Sequence, residues 1–147
     1  KFIGQVAPIA IQELTSFGLD KNLNLIENLP HKEVISKIIK SQLLLLPLND
    51  TPNIDGVVPG KLYEYLGAKR PIVCIGKPDG DAAKIIEETS GGSVSDFNDV
   101  DGLVISLNTY YNAYKNLSLK IESKGYEKYS RQLLAGAIAE ELNKISN

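Results

Sequence analysis

Methionine and tryptophan are absent from this 147-residue chain, and cysteine and histidine occur once each. A single thiol excludes an internal disulfide framework, and with a single imidazole it excludes a zinc finger or a multi-histidine metal site. Cys74 sits inside an apolar run and reads as a small buried hydrophobe, suited to a reducing compartment. Neither sign of charge dominates: 16 Lys and Arg against 18 Asp and Glu leave a net charge of −2. That balance gives no electrostatic footprint for nucleic acid. No apolar run approaches the roughly 18 residues that a membrane-crossing helix needs. No leader precedes Phe2-Ile3-Gly4-Gln5-Val6, which already reads as strand. With no initiator methionine either, the expectation is a cytoplasmic chain that begins inside a larger protein.

What is present is alternation. After the first strand, Pro8 opens a helix with Ile9, Ile11, Leu14 and Phe17, stopped by Gly18. Leu23 to Ile26 is a second short strand, and Leu29-Pro30 breaks the chain. Val34, Ile35, Ile38 and Ile39 recur at helical spacing between His31 and Lys40. Leu43-Leu44-Leu45-Leu46 is unbroken and apolar, as expected of a strand covered on both faces. A polar loop from Asn49 to Val58 follows, then Pro59-Gly60-Lys61-Leu62-Tyr63-Glu64-Tyr65-Leu66, a short helix opened by proline. Pro71 to Ile75 is the next strand, and Asp81 is placed to cap the helix after it, which ends before Gly91-Gly92. Ser93-Val94-Ser95 is a weak strand. Val100 to Asn116 and residues 127–147 complete the chain as helices. Strands alternating with helices predict an α/β domain, a Rossmann-like three-layer α/β/α arrangement around a mostly parallel sheet.

In such sheets ligands bind beyond the carboxyl ends of the strands. The helix start at Pro59 lies there. Free N–H groups and the helix dipole attract phosphate, Gly60 admits a ligand to the backbone, Lys61 adds charge, and Glu64 lies one turn in. The alternative is a structural crossover helix with a solvated glutamate, since Pro-Gly-Lys is not a P-loop. The loop through Asp50, Asp55 and Gly56 is long for a strand–helix connection, and long loops are often functional. The plainer reading of its carboxylates is solvated turn residues. Lys77, in Gly76-Lys77-Pro78-Asp79-Gly80, reads equally as an anion contact or as part of a turn. His31 reads as a first helical residue. Tyr110, Tyr111, Tyr114, Tyr126 and Tyr129 read as helix-packing aromatics before they read as stacking platforms.

Taken in order, Phe2-Ile3-Gly4, Leu29-Pro30-His31-Lys32-Glu33-Val34, Leu44-Leu45-Leu46-Pro47, Val58-Pro59-Gly60-Lys61-Leu62-Tyr63-Glu64-Tyr65-Leu66, Arg70-Pro71-Ile72 and Ile85-Ile86-Glu87-Glu88 form a series. It resembles the C-terminal lobe of GT-B glycosyltransferases, most closely the retaining group-1 (family 4) enzymes of bacterial surface-polysaccharide synthesis. The resemblance spans nearly the whole chain, and the Pro-Gly-Lys-x-x-Glu-Tyr block is its most specific part. It implies that residues 1–147 are the nucleotide-sugar-binding C-terminal lobe, with its start truncated. It implies Glu64 on the donor ribose, Pro59, Gly60 and Lys61 facing the diphosphate, Leu29 and Pro30 framing the base, and Asp55 and Gly56 facing the donor sugar. No catalytic residue is assigned in this lobe, and no obligatory metal or other cofactor is implied. The implied partners are the donor and a preceding acceptor lobe of the same protein, with no nucleic acid. Any peripheral association with the inner membrane would come through that missing part. Many members carry a second glutamate eight positions before the ribose-binding one; Gly56 stands there instead. The family's basic pair for the diphosphate is expected ahead of Lys1.

Two other classes compete. A non-enzymatic, receiver-like α/β module needs an acidic pocket at the strand ends, but Gln5-Val6 and Pro47-Leu48 occupy those ends. A dinucleotide-binding domain needs Gly-x-Gly-x-x-Gly after an early strand, and none follows.

Overall fold

The computed structural model describes residues 1–120 and 123–145. The last two positions of the expected 127–147 helix therefore lie outside the described residues. The chain divides into two units, Lys1–Lys37 and Ile38 onward.

In the first unit, β1 (Phe2–Ile3) pairs in parallel with β2 (Leu25–Ile26), Phe2 beside Leu25 and Ile3 beside Ile26. Helix α1 (Pro8–Ser16) connects them. Pro8 opens it as expected, because the first helical residue needs no N–H partner. Gly18 ends it at φ 71°, its N–H donating to the Thr15 carbonyl at 2.9 Å. Gly4 takes φ 97° directly after β1 and ends it at Ile3, and β2 covers only Leu25–Ile26, so both strands are shorter than the apolar pattern suggests. Helix α2 (His31–Ile39) begins after Pro30, whose carbonyl accepts from Glu33 and Val34 N–H at 2.8 and 3.1 Å.

The second unit holds β3 (Leu44–Pro47), α3 (Gly60–Gly67), β4 (Ile72–Ile75), α4 (Asp81–Glu88), β5 (Gly92–Ser95), α5 (Val100–Lys115) and α6 (Arg131–Ile145). Its strands form one parallel sheet in the order β3-β4-β5, with Leu44, Ile72 and Gly92 in register. The expected α/β architecture with parallel strands is therefore present, although the strands form two sheets rather than one.

Alternation along the strands sorts the core. Leu46, Ile72 and Cys74 face α3 and α4, where they meet Leu62, Leu66, Ala82 and Ile86. On the opposite face Val73 is fully buried, and α5 runs along β4 and β5. Helices therefore cover both sides of this sheet. At Gly92 a Cβ would run into the Ile72 carbonyl, so only glycine lets β5 approach β4 at that point.

Two helix boundaries differ from the sequence expectation, at the start of α4 and in the C-terminal helix. Asp81 does not cap α4; Gly80 is the N-cap, and Asp81, one residue inside, pairs with Lys84 at 2.9 Å. Helix α4 ends at Glu88, before Gly91 as expected, and Ser90 at φ 50° closes it. The neighbouring Gly91 answers to packing instead, since a Cβ there would lie 2.6 Å from the Leu66 side chain. The C-terminal helix is broken: a 3-10 turn over Tyr126–Tyr129 precedes α6, and Ser130 Oγ accepts from Leu133 N–H at 3.3 Å to start it afresh. That turn is fastened to the unit. Lys124 N–H donates to the Thr89 carbonyl at 2.8 Å, Lys128 pairs with Glu88 at 2.9 Å, and Tyr129 lies 5.5 Å from Tyr63, ring to ring. Beyond it, α6 contains no buried residue.

Candidate functional site at the carboxyl edge of the second sheet

Three helices begin where β3, β4 and β5 end, because each parallel strand is followed by a crossover or return helix. Their N-termini differ in chemistry. At α5 the Asp99 carboxylate accepts from Gly102 N–H at 2.9 Å. A Cβ at position 102 would meet that carboxylate, which would have to turn aside. At α4 no side chain caps the helix, but Asp81 places a negative charge in its first turn. Only α3 has neither a capping side chain nor an acidic residue in its first turn. Its cap, Pro59, sits at φ −72° and ψ 141°, with its carbonyl accepting from Leu62 N–H at 2.9 Å. Gly60 and Lys61 are exposed, and a Cβ built on Gly60 meets nothing within 4 Å. The start of α3 is therefore open to solvent at Gly60 and Lys61, at the positive end of the helix dipole. Glu64 follows one turn in and is half-buried.

The loop from β3 to α3 is anchored by Ile54, which is 7% exposed. A 3-10 turn over Ile54–Gly56 holds its shape, with Ile54 N–H to the Thr51 carbonyl and Val57 N–H to the Ile54 carbonyl, both at 3.0 Å. This turn presents Asp55 to Lys77 of the next strand–helix loop, carboxylate to ammonium at 2.7 Å. Two residues singled out separately as ligand contacts are thus partners of each other. The Asp55 hydrogen bond and charge, with Asp79 and Asp96 beyond, hold the Lys77 ammonium above its ordinary range. Lys84 is raised likewise, first by its bond to Asp81. The rim around β4 and β5 therefore sets four carboxylates against two ammonium groups. The contribution of Asp79 and Asp96 was not legible in the sequence, where they stand 17 residues apart. Among the described residues no three His, Cys, Asp or Glu side chains gather to hold a metal ion.

Of the sequence-predicted contacts, Asp55, Gly56, Pro59, Gly60, Lys61 and Glu64 fall on this one loop and helix. Gly56, like Gly60, has nothing within 4 Å of a built Cβ. Leu29 and Pro30 belong to the first unit, on the segment from β2 to α2, and His31 is the first residue of α2. Cys74 lies in the core, 1% exposed, with burial pushing its thiol up to about 11. The tyrosines divide. Tyr126 packs against the core cluster. Tyr110, Tyr111 and Tyr114 instead line a cavity of about 390 Å³ beside Gln42 and Leu43, well away from the helix starts in sequence. Tyr111 and Tyr114 are about half exposed there. No helix among the described residues is long and apolar enough to cross a membrane.

Against models of protein families, curated proteins and solved structures, the chain finds no match.

Proposed function

We propose that this chain is the donor-binding lobe of a retaining GT-B glycosyltransferase, moving a sugar from a nucleotide diphosphate to a hydroxyl acceptor in bacterial surface-polysaccharide synthesis. The observation that carries the reading is the start of α3. It is the one helix N-terminus on the carboxyl edge of the sheet that is free of both a cap and a first-turn acid. In this reading the N–H groups at Gly60 and Lys61 and the α3 dipole take up the charge of the departing diphosphate. Glu64 accepts hydrogen bonds from the ribose hydroxyls, and the Asp55–Gly56 turn faces the donor sugar. No metal is required for this stabilisation. The enzyme works in the cytoplasm, with any hold on the inner membrane coming through parts outside these residues.

The acidic rim bears on affinity. A diphosphate approaching Lys77 and Lys84 meets four carboxylates first, so residues 1–147 alone bind nucleotide weakly and transfer nothing. The test is a titration with UDP, GDP and ADP, followed by NMR or thermal shift. One of the three is expected to bind, and Glu64→Ala to weaken it about tenfold, the loss of one charged hydrogen bond. Silence toward all three, in a protein restored to its full lobe, sinks the reading.

A further inference from the structure

We propose that Tyr129 is a positioning residue for the nucleotide site: its ring, set against Tyr63, fixes α3 and with it the Glu64 carboxylate. The consequence for affinity rests on the reading of α3 given above; the hold on the helix does not.

Helix α3 is eight residues long, Gly60–Gly67. Two turns of helix have little stability of their own, so their neighbours decide where they lie. Leu62 and Leu66, on one stripe of the helix, belong to the buried cluster with Leu46, Ile72 and Cys74. A single stripe of two leucines holds the helix to the sheet but does little against rolling about its own axis. Tyr63 lies about 100° around the helix from Leu62. There it meets the Tyr129 ring at 5.5 Å, with 47° between the planes, a tilted arrangement that aromatic pairs favour. Glu64 is the next residue around, so any roll that Tyr63 permits carries the carboxylate through the same angle.

Tyr129 can serve as a stop because it is itself fixed. In the same 3-10 turn, Lys128 pairs with Glu88, the last residue of α4, at 2.9 Å. Just ahead of the turn, Lys124 N–H donates to the Thr89 carbonyl at 2.8 Å. Tyr126 packs against the core cluster and has the Lys69 ammonium 5.4 Å from its ring centre. Lys69 itself follows the end of α3, at φ 53°. The turn therefore grips α3 on its flank and just past its last residue, and ties it to the end of α4. The contact at position 129 is ring to ring, so phenylalanine should serve there and alanine should not.

The test is amide hydrogen exchange in α3, read by NMR on residues 1–147 without ligand. Tyr129→Ala is expected to speed exchange at Glu64, Tyr65 and Leu66 about fivefold, and Tyr129→Phe to restore it. Leu103→Ala, which removes packing from a half-buried position of α5, should leave these three amides as they are. For whichever of UDP, GDP and ADP binds, Tyr129→Ala should weaken affinity about threefold, again restored by phenylalanine. Unchanged exchange in Tyr129→Ala overturns the proposal. So does an equal acceleration in Leu103→Ala, which would mark a general loosening of the unit. Silence toward all three nucleotides counts against the donor site alone, because the exchange is read without ligand.

Discussion

The Asp55 carboxylate and the Lys77 ammonium lie 2.7 Å apart, joining the loop after β3 to the loop after β4. Both side chains remain partly open to solvent, at 63% and 40% exposure, so the bond contributes little to folding. Its effect is to occupy the cation nearest the β4–α4 turn. Asp55→Asn should release Lys77 for an arriving anion. The expected outcome is tighter binding of nucleoside diphosphate with an almost unchanged melting temperature. Weaker binding would show that the carboxylate itself holds the ligand.

Gly60 allows folding and binding to be separated. Its backbone is not left-handed and a Cβ there meets open space, so alanine at the first position of α3 costs the fold nothing. If a phosphate sits against these N–H groups, the added methyl stands in its way. Gly60→Ala is expected to keep the melting temperature within about a degree or two, a change of well under 1 kcal/mol for a chain this size. Nucleotide affinity should fall severalfold. Unchanged affinity would move the anion away from α3.

Cys74 makes stability depend on alkaline pH. Burial raises its thiol in the folded chain from 9.0 to about 11. Between those values the unfolded chain has lost the proton while the folded chain still holds it, so unfolding is favoured as pH rises. Stability should therefore decline from about pH 9 and level off near pH 11. Denaturant melts across that window should show a shallower decline in Cys74→Val. The native thiol should also resist alkylation at neutral pH, because the thiolate is the nucleophile.

Leu117 offers a stabilising change. It follows α5 at φ 53° and is 94% exposed. Around it the helix closes with Leu117 N–H to the Tyr114 carbonyl at 3.1 Å and Ser118 N–H to the Ala113 carbonyl at 2.8 Å. That arrangement prefers glycine at the left-handed position. Leu117→Gly loses almost no packing and relieves the Cβ clash, for a gain of about 0.5–1 kcal/mol in chemical denaturation. A loss of stability would mean that the leucine is covered in solution.

The order of elements could be read from residues alone, because period-2 and period-3.6 patterns and proline positions act locally. Pro8 and Pro59 mark helix starts, and the apolar run at Ile72–Ile75 is a strand buried on both faces. Gly60 and Glu64 stood out for the same local reason, one turn of helix apart. Other features depend on neighbours distant in sequence. Leu43 to Leu46 has the composition of an interior strand, yet only the ladder order shows that it ends the sheet with Leu45 uncovered. Asp55 and Lys77 look like two independent ligand contacts until the folded loops bring them together. Gly91 looks like a helix stop until the Leu66 side chain shows what it makes room for. Local geometry is set by dihedral preference and hydrophobic period, which the sequence by itself determined. Edge, pairing and close approach are properties of which surfaces meet, and only the tertiary structure decided those.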